Sequence, residues 1–576
     1  MGDPAKRVER ASRRGIFQAF LESARRNGGK KLALVDGDGR KFSYTDLTRA
    51  AFGLSGPISR LSAPGEKLGI LLPTGAGSMI AMFALQARGR IPAMLNFTAG
   101  AKTLKSACKA AEVTKVITAH KFIELGGLEK LVADLSGDVE FLYLEDLRNE
   151  VKTSDKARAI IGPILPTFFA ALPSPDEPGV ILFTSGTEGD PKGVVLSHAN
   201  ILANTEQISQ HVKVLPTDIF FNPLPTFHCY GLTAGTLWPL IAGYPAVLHP
   251  SPLQPKIIAK RIFETGSTIL LATDTFLQQY MRASNEGGMN SLRIAVCGAE
   301  RVREETRQTA ERRFSFEVLE GYGVTEASPV IAANQPGDIR AGTIGKMLPG
   351  IEYKLDPVEG LEDAGKLIVR GPNVMQGYIS ANAPGILTPL EGGWHDTGDV
   401  VSVDKEGYIT IRGRMKRFAK IGGELISLAV VENCASAVWP DQMHAAATLP
   451  DKKKGEQIVL VTEREDADRS QLLTWAQTHG VPEIAVPKKI VHVSAVPVLG
   501  TGKLDYVSIT RAAKEGLEKL QGTETPAPKS KQELKEEKKS QKKQMAQQKA
   551  DAEQLAKEEK DRAKSATAEE LPKAAE

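Results

Sequence analysis

Short apolar runs alternate with longer helix-like segments from the start of the chain to about residue 410. Six runs are almost continuously apolar: KLGILL (67–72), VTKVITA (113–119), GVILFT (179–184), PAVLH (245–249), STILLA (267–272) and LRIAVCG (292–298). Such runs are typical of strands buried on both faces of a parallel sheet, and the segments between them predict crossover helices. The pattern therefore predicts an α/β fold that binds ligands beyond the carboxyl ends of its strands.

The pattern changes after residue 410 and again after residue 520. The basic stretch TIRGRMKRFAK (410–420) precedes a region with its own strand signal, QIVLVTE (457–463), and helix signal, SQLLTWAQTHG (470–480). Beyond residue 520 the chain is rich in Lys, Glu, Gln and Ala, and it has too few large apolar residues to form a core. We expect a large domain of parallel-sheet subdomains over residues 1–413, a small mobile α+β domain over 414–520, and a disordered or helical tail over 521–576.

Composition excludes several classes of function. A chain of 576 residues is too long for one hydrophobic core, which agrees with two or three domains. The net charge of +4 is small for this length and gives no reason to expect a nucleic-acid partner. The four cysteines are widely separated, so they predict neither a disulfide framework nor a zinc site, and they suit a reducing compartment.

Two segments bear on membrane location. The basic N-terminus, MGDPAKRVERASRRG, is not followed by the apolar run of a signal peptide. Residues 69–86 carry no charge, but Pro73, Gly75 and Gly77 interrupt them, which favours a strand, a turn and the start of a helix over a membrane span. We expect a cytoplasmic protein without a transmembrane span. Peripheral association with the inner face of the cytoplasmic membrane stays open.

The stretch FTSGTEGDPKG (183–193) has the composition of a phosphate-binding loop. A Gly-rich turn between a strand and a helix directs backbone N–H groups at an anion, and Lys192 adds a positive charge. The spacing of Gly186, Gly189 and Lys192 is not that of the Walker motif. Glu188 either repels phosphate or pairs with Lys192 and a metal ion, and the sequence does not decide between these roles.

Several motifs in order resemble those of the adenylate-forming superfamily, which contains acyl-CoA synthetases, luciferases and peptide-synthetase adenylation domains. The loop of residues 183–193 is followed by LSHANIL (196–202), and five further motifs complete the order: GAE (298–300), GYGVTEASP (321–329), GWHDTGD (393–399), IRGRMKRFAKIGGE (411–424) and LGTGKLD (499–505). Each motif alone is weak, because short turns and surface lysines are common. Their joint occurrence in family order is specific.

The resemblance implies an ATP site and a magnesium site. It implies that the β- and γ-phosphates are held by the loop residues Thr184, Ser185, Gly186, Thr187, Gly189 and Lys192. Tyr322 would stack on adenine, which Gly298, Ala299 and Glu300 would line. Thr325 would bond the α-phosphate and Glu326 would bind Mg²⁺. Asp399 and Arg414 would bind the ribose hydroxyls.

The same resemblance assigns residues to catalysis. Lys503, from the small domain, would neutralise charge during adenylation. The small domain would then rotate about Lys416, so that Lys420 and the GGE segment (422–424) help to form a thiol tunnel. His228, in LPTFHCYGLT (224–233), is a candidate gate of the acyl pocket, and the alternative is a histidine satisfied in a core turn.

A narrower resemblance comes from FTAGAKTL (97–104), ILANTEQI (201–208) and RGRMKRFAKIGGELISL (412–428). These segments are similar to the adenylating half of bacterial acyl-acyl-carrier-protein synthetase/2-acylglycerophosphoethanolamine acyltransferases. The acyltransferase half of those enzymes carries an H-x-x-x-x-D motif, and none of the nine histidines here has Asp five positions on. The resemblance therefore implies that a separate acyltransferase would pass the acyl group to a lysophospholipid.

The sequence thus predicts an ATP-dependent, AMP-forming acid–thiol ligase that activates a long-chain fatty acid. The resemblance favours acyl-carrier protein as the acceptor, with coenzyme A as the alternative. Two readings from other classes remain: a catalytically silent protein that binds nucleotide or acyl groups, and a scaffold in which the charged tail is the functional part.

Overall fold

The computed structural model describes residues 3–184, 191–285, 287–421, 424–451, 455–498 and 504–520. The strands of these residues are β1 (Leu32–Val35), β2 (Lys41–Ser43), β3 (Lys67–Ile70), β4 (Ile91–Met94), β5 (Lys115–Thr118), β6 (Glu140–Tyr143), β7 (Pro178–Thr184), β8 (Lys192–Ser197), β9 (Phe220–Asn222), β10 (Ala246–Leu248), β11 (Ile269–Ala272), β12 (Ile294–Cys297), β13 (Glu317–Gly323), β14 (Val330–Ala333), β15 (Lys346–Met347), β16 (Glu352–Val358), β17 (Leu361–Arg370), β18 (Gly377–Ser380), β19 (Ala383–Pro389), β20 (His395–Val403), β21 (Ile409–Arg414), β22 (Phe418–Ile421), β23 (Glu424–Ser427), β24 (His444–Asp451), β25 (Gly455–Thr462) and β26 (Lys489–His492).

The α-helices of the same residues are α1 (Pro4–Ser12), α2 (Ile16–Asn27), α3 (Tyr44–Leu61), α4 (Ala76–Gln86), α5 (Ala101–Ala111), α6 (His120–Gly126), α7 (Glu129–Leu135), α8 (Leu144–Asn149), α9 (Thr153–Ile161), α10 (Pro166–Phe169), α11 (His198–His211), α12 (Trp238–Ala242), α13 (Pro255–Thr265), α14 (Asp274–Ala283), α15 (Glu304–Thr309), α16 (Leu428–Val438), α17 (Arg469–Thr478) and α18 (Tyr506–Leu520). No helix among them combines the length and the apolarity that a membrane span needs.

Two large mixed sheets account for the predicted α/β fold. One has the strand order β15-β14-β13-β12-β11-β9-β10-β1-β2, and the other has the order β19-β18-β8-β7-β4-β3-β5-β6. Pairing is parallel from β13 to β1 in the first sheet and from β7 to β6 in the second. All six apolar runs form strands of these two sheets, because strands covered on both faces need apolar residues at every position.

The loop of residues 185–190 corrects one expectation. It joins β7 to β8, which pair antiparallel with Thr184 opposite Lys192, so it lies between two strands rather than between a strand and a helix. Helix α11 begins only after β8, where the Ser197 side chain accepts a hydrogen bond from the backbone N–H of Asn200 at 3.1 Å. Residues 193–197, which include the apolar run Val194–Leu196, form a buried strand here, and their composition allows a strand as readily as a helix start.

The large sheets are covered by an aromatic core. Phe17 and Phe20 on α2, Phe52 on α3 and Phe83 on α4 are all buried, and the Phe20 and Phe83 rings stack with centroids 4.5 Å apart. Residues 69–86 take part as β3, a turn and α4, which agrees with the sequence expectation.

Apart from β18 and β19, the strands after residue 351 form two smaller sheets. Strands β16, β17, β20 and β21 form an antiparallel sheet, while β23, β22, β25 and β24 form another, with β26 paired to β25. A separate hydrophobic cluster, which runs from Ala419 to Val486, fills the space between the last sheet and α16 and α17.

By its internal contacts the chain divides into one unit over residues 1–513 and a second that begins at Lys514. Of the second unit, only residues 514–520 at the end of α18 are described. The three domains given above, with boundaries after residues 413 and 520, remain predictions.

Candidate active site

Three predicted residues on three strands meet around one carboxylate. Asp399 on β20 lies opposite Arg414 on β21, and the Arg414 Nε donates to Asp399 Oδ1 at 2.8 Å. Tyr322 on β13 donates its hydroxyl to the other oxygen, Asp399 Oδ2, at 2.6 Å. Asp399 is buried, and the guanidinium of Arg414 is exposed, so the carboxylate is reached from solvent through Arg414.

The charges of this group are mutually stabilising. The negative charge of Asp399 raises the pKa of Arg414 above its usual value, so the guanidinium stays charged. Burial, followed by the charge of Asp399, raises the pKa of Tyr322 well above its usual value. Tyr322 therefore stays neutral and donates its proton in the hydrogen bond to Asp399.

Glu326 is oriented by a residue that the sequence did not single out. It lies in the short turn Thr325–Ala327, where its carbonyl oxygen accepts from the backbone N–H of Met375 at 2.8 Å. Its Oε1 accepts from the hydroxyl of Tyr378 on β18 at 2.7 Å. The Lys192 ammonium lies 5.0 Å from the centroid of the Tyr378 ring, so Tyr378 bridges Glu326 and the β8 end of the loop predicted to bind phosphate.

A glycine allows this turn to lie close to β13. A Cβ on Gly323 would lie 2.1 Å from the carbonyl oxygen of Pro329, a distance that no side chain tolerates. The residue after Tyr322 must therefore lack a side chain for Thr325 and Glu326 to follow it directly.

The surroundings of two buried side chains, His395 and Cys229, show what lies near Glu326. Burial lowers the pKa of His395, and the charges of Glu326, Asp396 and Asp399 oppose that effect. Burial raises the pKa of the Cys229 thiol to about 12, with a further contribution from Glu326. The segment that contains His228 is thus near Glu326 as well.

The predicted adenine segment contributes mainly backbone. Gly298 follows β12, and a Cβ at that position would lie 3.2 Å from the ring of Tyr230. Ala299 is exposed and has a φ of 68°. The Glu300 carboxylate accepts from the backbone N–H of Thr275 at 3.0 Å, in the first turn of α14, and burial raises its pKa. The side chain of Glu300 is therefore engaged at the start of α14.

His228 precedes a buried π-helix, Tyr230–Leu237. Its Nδ1 accepts from the backbone N–H of Tyr230 at 3.4 Å, while the Tyr230 hydroxyl donates to the carbonyl of Val296 at 2.7 Å. The π-helix is held by Asn222 on β9, whose Nδ2 donates to the Gly231 carbonyl at 2.9 Å. π-Helical turns are rare and are frequent at functional sites.

Other predicted residues lie elsewhere or outside the described part of the chain. Lys420 is an exposed residue of β22, where its backbone N–H donates to Glu456. Ser185, Gly186, Thr187, Gly189, Glu188 and Lys503, together with Gly422 and Gly423, lie outside the described residues. Their roles remain predictions.

Sequence reasoning missed Tyr378 and Asn222. Tyr378 is one of ten tyrosines, and it lies in a short strand without a recognised motif, so only its hydrogen bond to Glu326 identifies it. Asn222 ends the apolar strand β9 as its one polar residue, and that position at a carboxyl end was the available signal.

Comparison with known families decides the broader identity. The family model described as AMP-binding enzyme matches residues 20–379, which is more than half of the chain. The chain belongs to the AMP-binding enzymes.

Curated relatives of this AMP-binding enzyme act on different acids. It is 32% identical over 344 residues to a long-chain-fatty-acid–CoA ligase of Bacillus subtilis, a match that covers 56% of this chain and 60% of that ligase. It is 26% identical over 480 residues to a feruloyl-CoA synthase of an Amycolatopsis species, which covers 81% of this chain and 93% of that synthase. A medium-chain fatty-acid–CoA ligase of Escherichia coli is 28% identical over 348 residues, a match that covers 57% of this chain and 60% of that ligase.

Solved structures share the fold of this AMP-binding enzyme. The o-succinylbenzoate CoA synthetase of Bacillus subtilis in complex with its acyl-adenylate intermediate superposes with a TM-score of 0.73 at 22% identity, covering 85% of this chain and 97% of the synthetase. The same synthetase in complex with ATP and magnesium gives a TM-score of 0.72 at 21% identity, covering 85% and 98%.

These matches confirm several predictions at the level of the family. The α/β fold is confirmed, as are an ATP-dependent acid–thiol ligase and the use of ATP and Mg²⁺. The narrower resemblance to acyl-carrier-protein synthetases has no counterpart among the relatives described above.

Proposed function

We propose that this AMP-binding enzyme activates a fatty acid with ATP and transfers it to a thiol. The carboxylate attacks the α-phosphorus of ATP, which gives an acyl-adenylate and releases pyrophosphate. A thiol then attacks the acyl carbon, which forms the thioester and releases AMP. The observation that carries the proposal is the cluster in which Tyr322 and Arg414 converge on Asp399 beside Glu326.

The nucleoside end of the substrate fits the Asp399 cluster. A buried carboxylate that already accepts two hydrogen bonds retains lone pairs for ribose hydroxyls. Arg414 can donate to the ribose from the exposed side. The backbone at Ala299 is exposed and open to an adenine edge, next to the buried Gly298, since the Glu300 side chain is engaged at α14.

Glu326 fits the family's magnesium requirement. Magnesium in nucleotide sites is held by one or two carboxylates together with substrate phosphates, and among the described residues no group of three or more His, Cys, Asp or Glu could hold a metal by itself. A bound Mg²⁺ ion would neutralise part of the negative charge of the phosphates. The hydrogen bond from Tyr378 fixes the direction of the Glu326 carboxylate and leaves its other lone pairs for coordination.

The phosphate end is assigned to the loop between β7 and β8. Thr184 and Lys192 pair at its base, and Lys192 directs its charge toward the ring of Tyr378 and thus toward Glu326. We assign Ser185, Gly186, Thr187, Gly189 and Thr325 to the phosphates, and Lys503 to the reacting carboxylate, on the family resemblance.

The acceptor thiol has two candidates, each favoured by a different observation. The segments at 97–104, 201–208 and 412–428 favour acyl-carrier protein, and in that case a separate acyltransferase would use the product to re-acylate a lysophospholipid. The names of the fatty-acid relatives favour coenzyme A. Lys420 and the neighbouring basic residues of 412–417 suit an acidic carrier protein and a phosphorylated coenzyme equally.

The deciding experiment measures pyrophosphate release by the purified full chain with ATP, Mg²⁺ and palmitate. Parallel reactions contain holo-acyl-carrier protein, coenzyme A or neither thiol, and mass spectrometry identifies the thioester. Multiple turnovers only with carrier protein support the first acceptor, and turnovers with coenzyme A support the second. Absence of release with every fatty acid from medium to long chain, despite ATP binding, contradicts the ligase and supports a silent binding protein.

Deletion of residues 521–576 tests the reading in which the tail is the functional part. We expect pyrophosphate release by the shortened chain to match that of the full chain, since every residue assigned to the reaction precedes residue 504. Loss of release after the deletion, with the fold intact, would favour the scaffold reading.

A further inference from the structure

The segment from Thr153 to Pro173 packs against α3 through a few side chains that point inward. Asp155 is buried between Arg60 and Arg158, with its Oδ2 2.9 Å from Arg60 Nη1. Gly162 lies against Phe52, since a Cβ there would be 2.4 Å from the Phe52 ring. Farther along, the rings of Phe169 and Phe52 meet edge to face with centroids 6.4 Å apart. These inward contacts hold α9 and α10 in position.

The outer face of the same segment is apolar as well. Six large apolar side chains are exposed within thirteen positions, from 40% at Ile161 to 80% at Phe168. We call this set the apolar ridge; it consists of Ile160, Ile161, Ile164, Leu165, Phe168 and Leu172. Elsewhere in the described chain, exposed large apolar residues are more scattered, as at Leu253 and Phe263. The inner face already anchors the segment, so the fold does not need the ridge to be apolar.

Positive charge borders the apolar ridge on two sides. Lys152 and Lys156, which are exposed, precede it on and beside α9. At its other end Pro173 packs on Gly15, where a Cβ would lie 2.9 Å from Pro173 Cγ. Gly15 directly follows the basic stretch KRVERASRR of residues 6–14, which has five basic residues and one acid.

Ion pairs neutralise only part of this charge. Arg7 pairs with Glu206, Arg13 with Glu9, and Arg14 with Glu22, while Lys6 and Arg10 are exposed. The acids Asp176 and Glu177 follow the ridge, and their backbone carbonyls accept from Gln376 and His198. The border nearest α1 and α9 is therefore positive.

We propose that the apolar ridge docks this enzyme on an anionic lipid surface. Exposed Ile, Leu and Phe side chains enter the headgroup region of a bilayer, and flanking Lys and Arg residues bind the lipid phosphates. Both features are present here, since Lys152 and Lys156 lie on the segment of the ridge and Pro173 packs on Gly15 at the end of the basic stretch. A bilayer also concentrates long-chain fatty acids, although docking itself needs neither ATP nor a substrate.

A second copy of the chain is the competing occupant of the ridge. Two ridges in contact would bring their positive borders together, and like charges oppose that association. The border charges instead complement anionic lipid, which is why we assign the surface to a membrane.

The test is co-flotation of the purified full chain with vesicles of phosphatidylglycerol and phosphatidylcholine, or of phosphatidylcholine alone. The double variant I164Q/F168Q removes two ridge side chains that are 72% and 80% exposed. The control L253Q/F263Q removes two side chains of similar exposure, 62% and 65%, away from the ridge. Unfolding midpoints and pyrophosphate release in vesicle-free buffer report whether each variant is folded.

We expect the full chain to float with anionic vesicles and to bind phosphatidylcholine vesicles weakly. The I164Q/F168Q variant should lose about tenfold in partitioning, equivalent to about 1.4 kcal/mol, and the control should bind as the unaltered chain does. High salt should weaken the binding of all three proteins, since part of the attraction is electrostatic.

Three results would overturn the proposal. These are no flotation with anionic vesicles, flotation that I164Q/F168Q leaves unchanged, and concentration-dependent dimers in sedimentation that I164Q/F168Q abolishes. The last result would assign the ridge to a second copy of the chain. Because flotation is measured without substrates, its failure is distinguishable from failure of the proposed ligase activity.

Discussion

Tyr378 connects the base of the phosphate loop to the proposed metal ligand. Its hydroxyl donates to Glu326 Oε1, and its ring lies beneath the Lys192 ammonium. Burial and the charge of Glu326 raise its pKa, so it remains a donor throughout the neutral range. A tyrosine at this position thus serves the site without touching the reacting atoms.

Replacing Tyr378 with Phe should raise the Mg²⁺ concentration for half-maximal pyrophosphate release by about tenfold, because a metal ligand that loses its outer partner is less well oriented. The ring, and with it the contact to Lys192, is retained. A magnesium titration of Y378F checks this, with Y353F as the control because Tyr353 is exposed on β16. An unaltered magnesium dependence in Y378F would show that Glu326 does not need the hydrogen bond.

Replacing Asp399 with Asn should raise the KM for ATP by about tenfold or more, because a neutral amide loses the charge-assisted bond from Arg414 and weakens any bond to ribose. The KM is measured by pyrophosphate release at saturating palmitate. The control D404N removes a carboxylate from the exposed pair with Arg340 and should leave the KM unaltered. Equal KM values for D399N and the unaltered enzyme would remove Asp399 from the nucleotide site.

At the scale of elements, a buried asparagine helps to hold the π-helix in place. Asn222 donates to the Gly231 carbonyl and to Thr236 Oγ1, and its Oδ1 accepts from the backbone N–H of Leu224. It is fully buried at the end of β9. The asparagine therefore joins the strand, the following loop and the π-helix that carries Tyr230.

The variant N222A should lower the free energy of unfolding by about 3 kcal/mol, because it removes the acceptor of the buried Leu224 N–H and one of two side-chain donors to the Gly231 carbonyl. Urea titration of the full chain measures the loss. Asn96 offers a matched control, since its Oδ1 also accepts a backbone N–H, at 2.9 Å from Thr98, but in an exposed loop. N96A should cost about 1 kcal/mol or less, and an equal loss in the two variants would contradict the role of Asn222.

The sequence predicts correctly those strands whose pattern of residues depends on burial alone. The strands β3, β5, β7, β10, β11 and β12 could be predicted because burial on both faces requires apolar residues throughout. The β7–β8 hairpin could not, since residues 193–197 have no alternation that separates a buried strand from a helix start. The π-helix shares its composition with an ordinary buried helix, so periodicity does not reveal it.

The site was predictable only as a set of motifs. The order of the motifs predicted one shared site for Tyr322, Glu326, Asp399 and Arg414. The register of β20 with β21 explains the contact between Asp399 and Arg414. The hydrogen bonds of Tyr378 and Glu300 depend on tertiary neighbours fifty and twenty-five positions away, which no local pattern reports.

At the scale of the whole molecule, a buried histidine links the N-terminal helices to the large sheets. His198 begins α11, and its Nδ1 accepts from the backbone N–H of Ile16, 182 positions earlier, at 3.1 Å. Burial lowers its pKa from 6.5 to about 4. The folded chain therefore holds a neutral imidazole at pH values where the unfolded chain takes up a proton.

The free energy of unfolding should fall as the pH falls from 6.5 toward 4, because in that window the unfolded chain binds more protons. His198 should contribute a loss of about 2 kcal/mol between pH 7.5 and pH 5. The variant H198N, whose amide oxygen can accept the backbone N–H of Ile16, should lose this part of the pH dependence. The exposed His120 supplies the control H120N, which should keep the pH dependence of the unaltered chain; equal slopes for H198N and H120N in urea titrations would contradict the assignment.

The β7–β8 hairpin, whose loop we propose to bind phosphate, has a practical consequence for protein engineering. Because Thr184 and Lys192 are paired in the sheet, the ends of the loop stay at a fixed separation whatever lies between them. Closing a slightly longer loop costs little, since the entropy of closure grows slowly with length. The residues between those two positions can thus be exchanged as a cassette, including versions without Glu188, while β8 and every element after it keep their register.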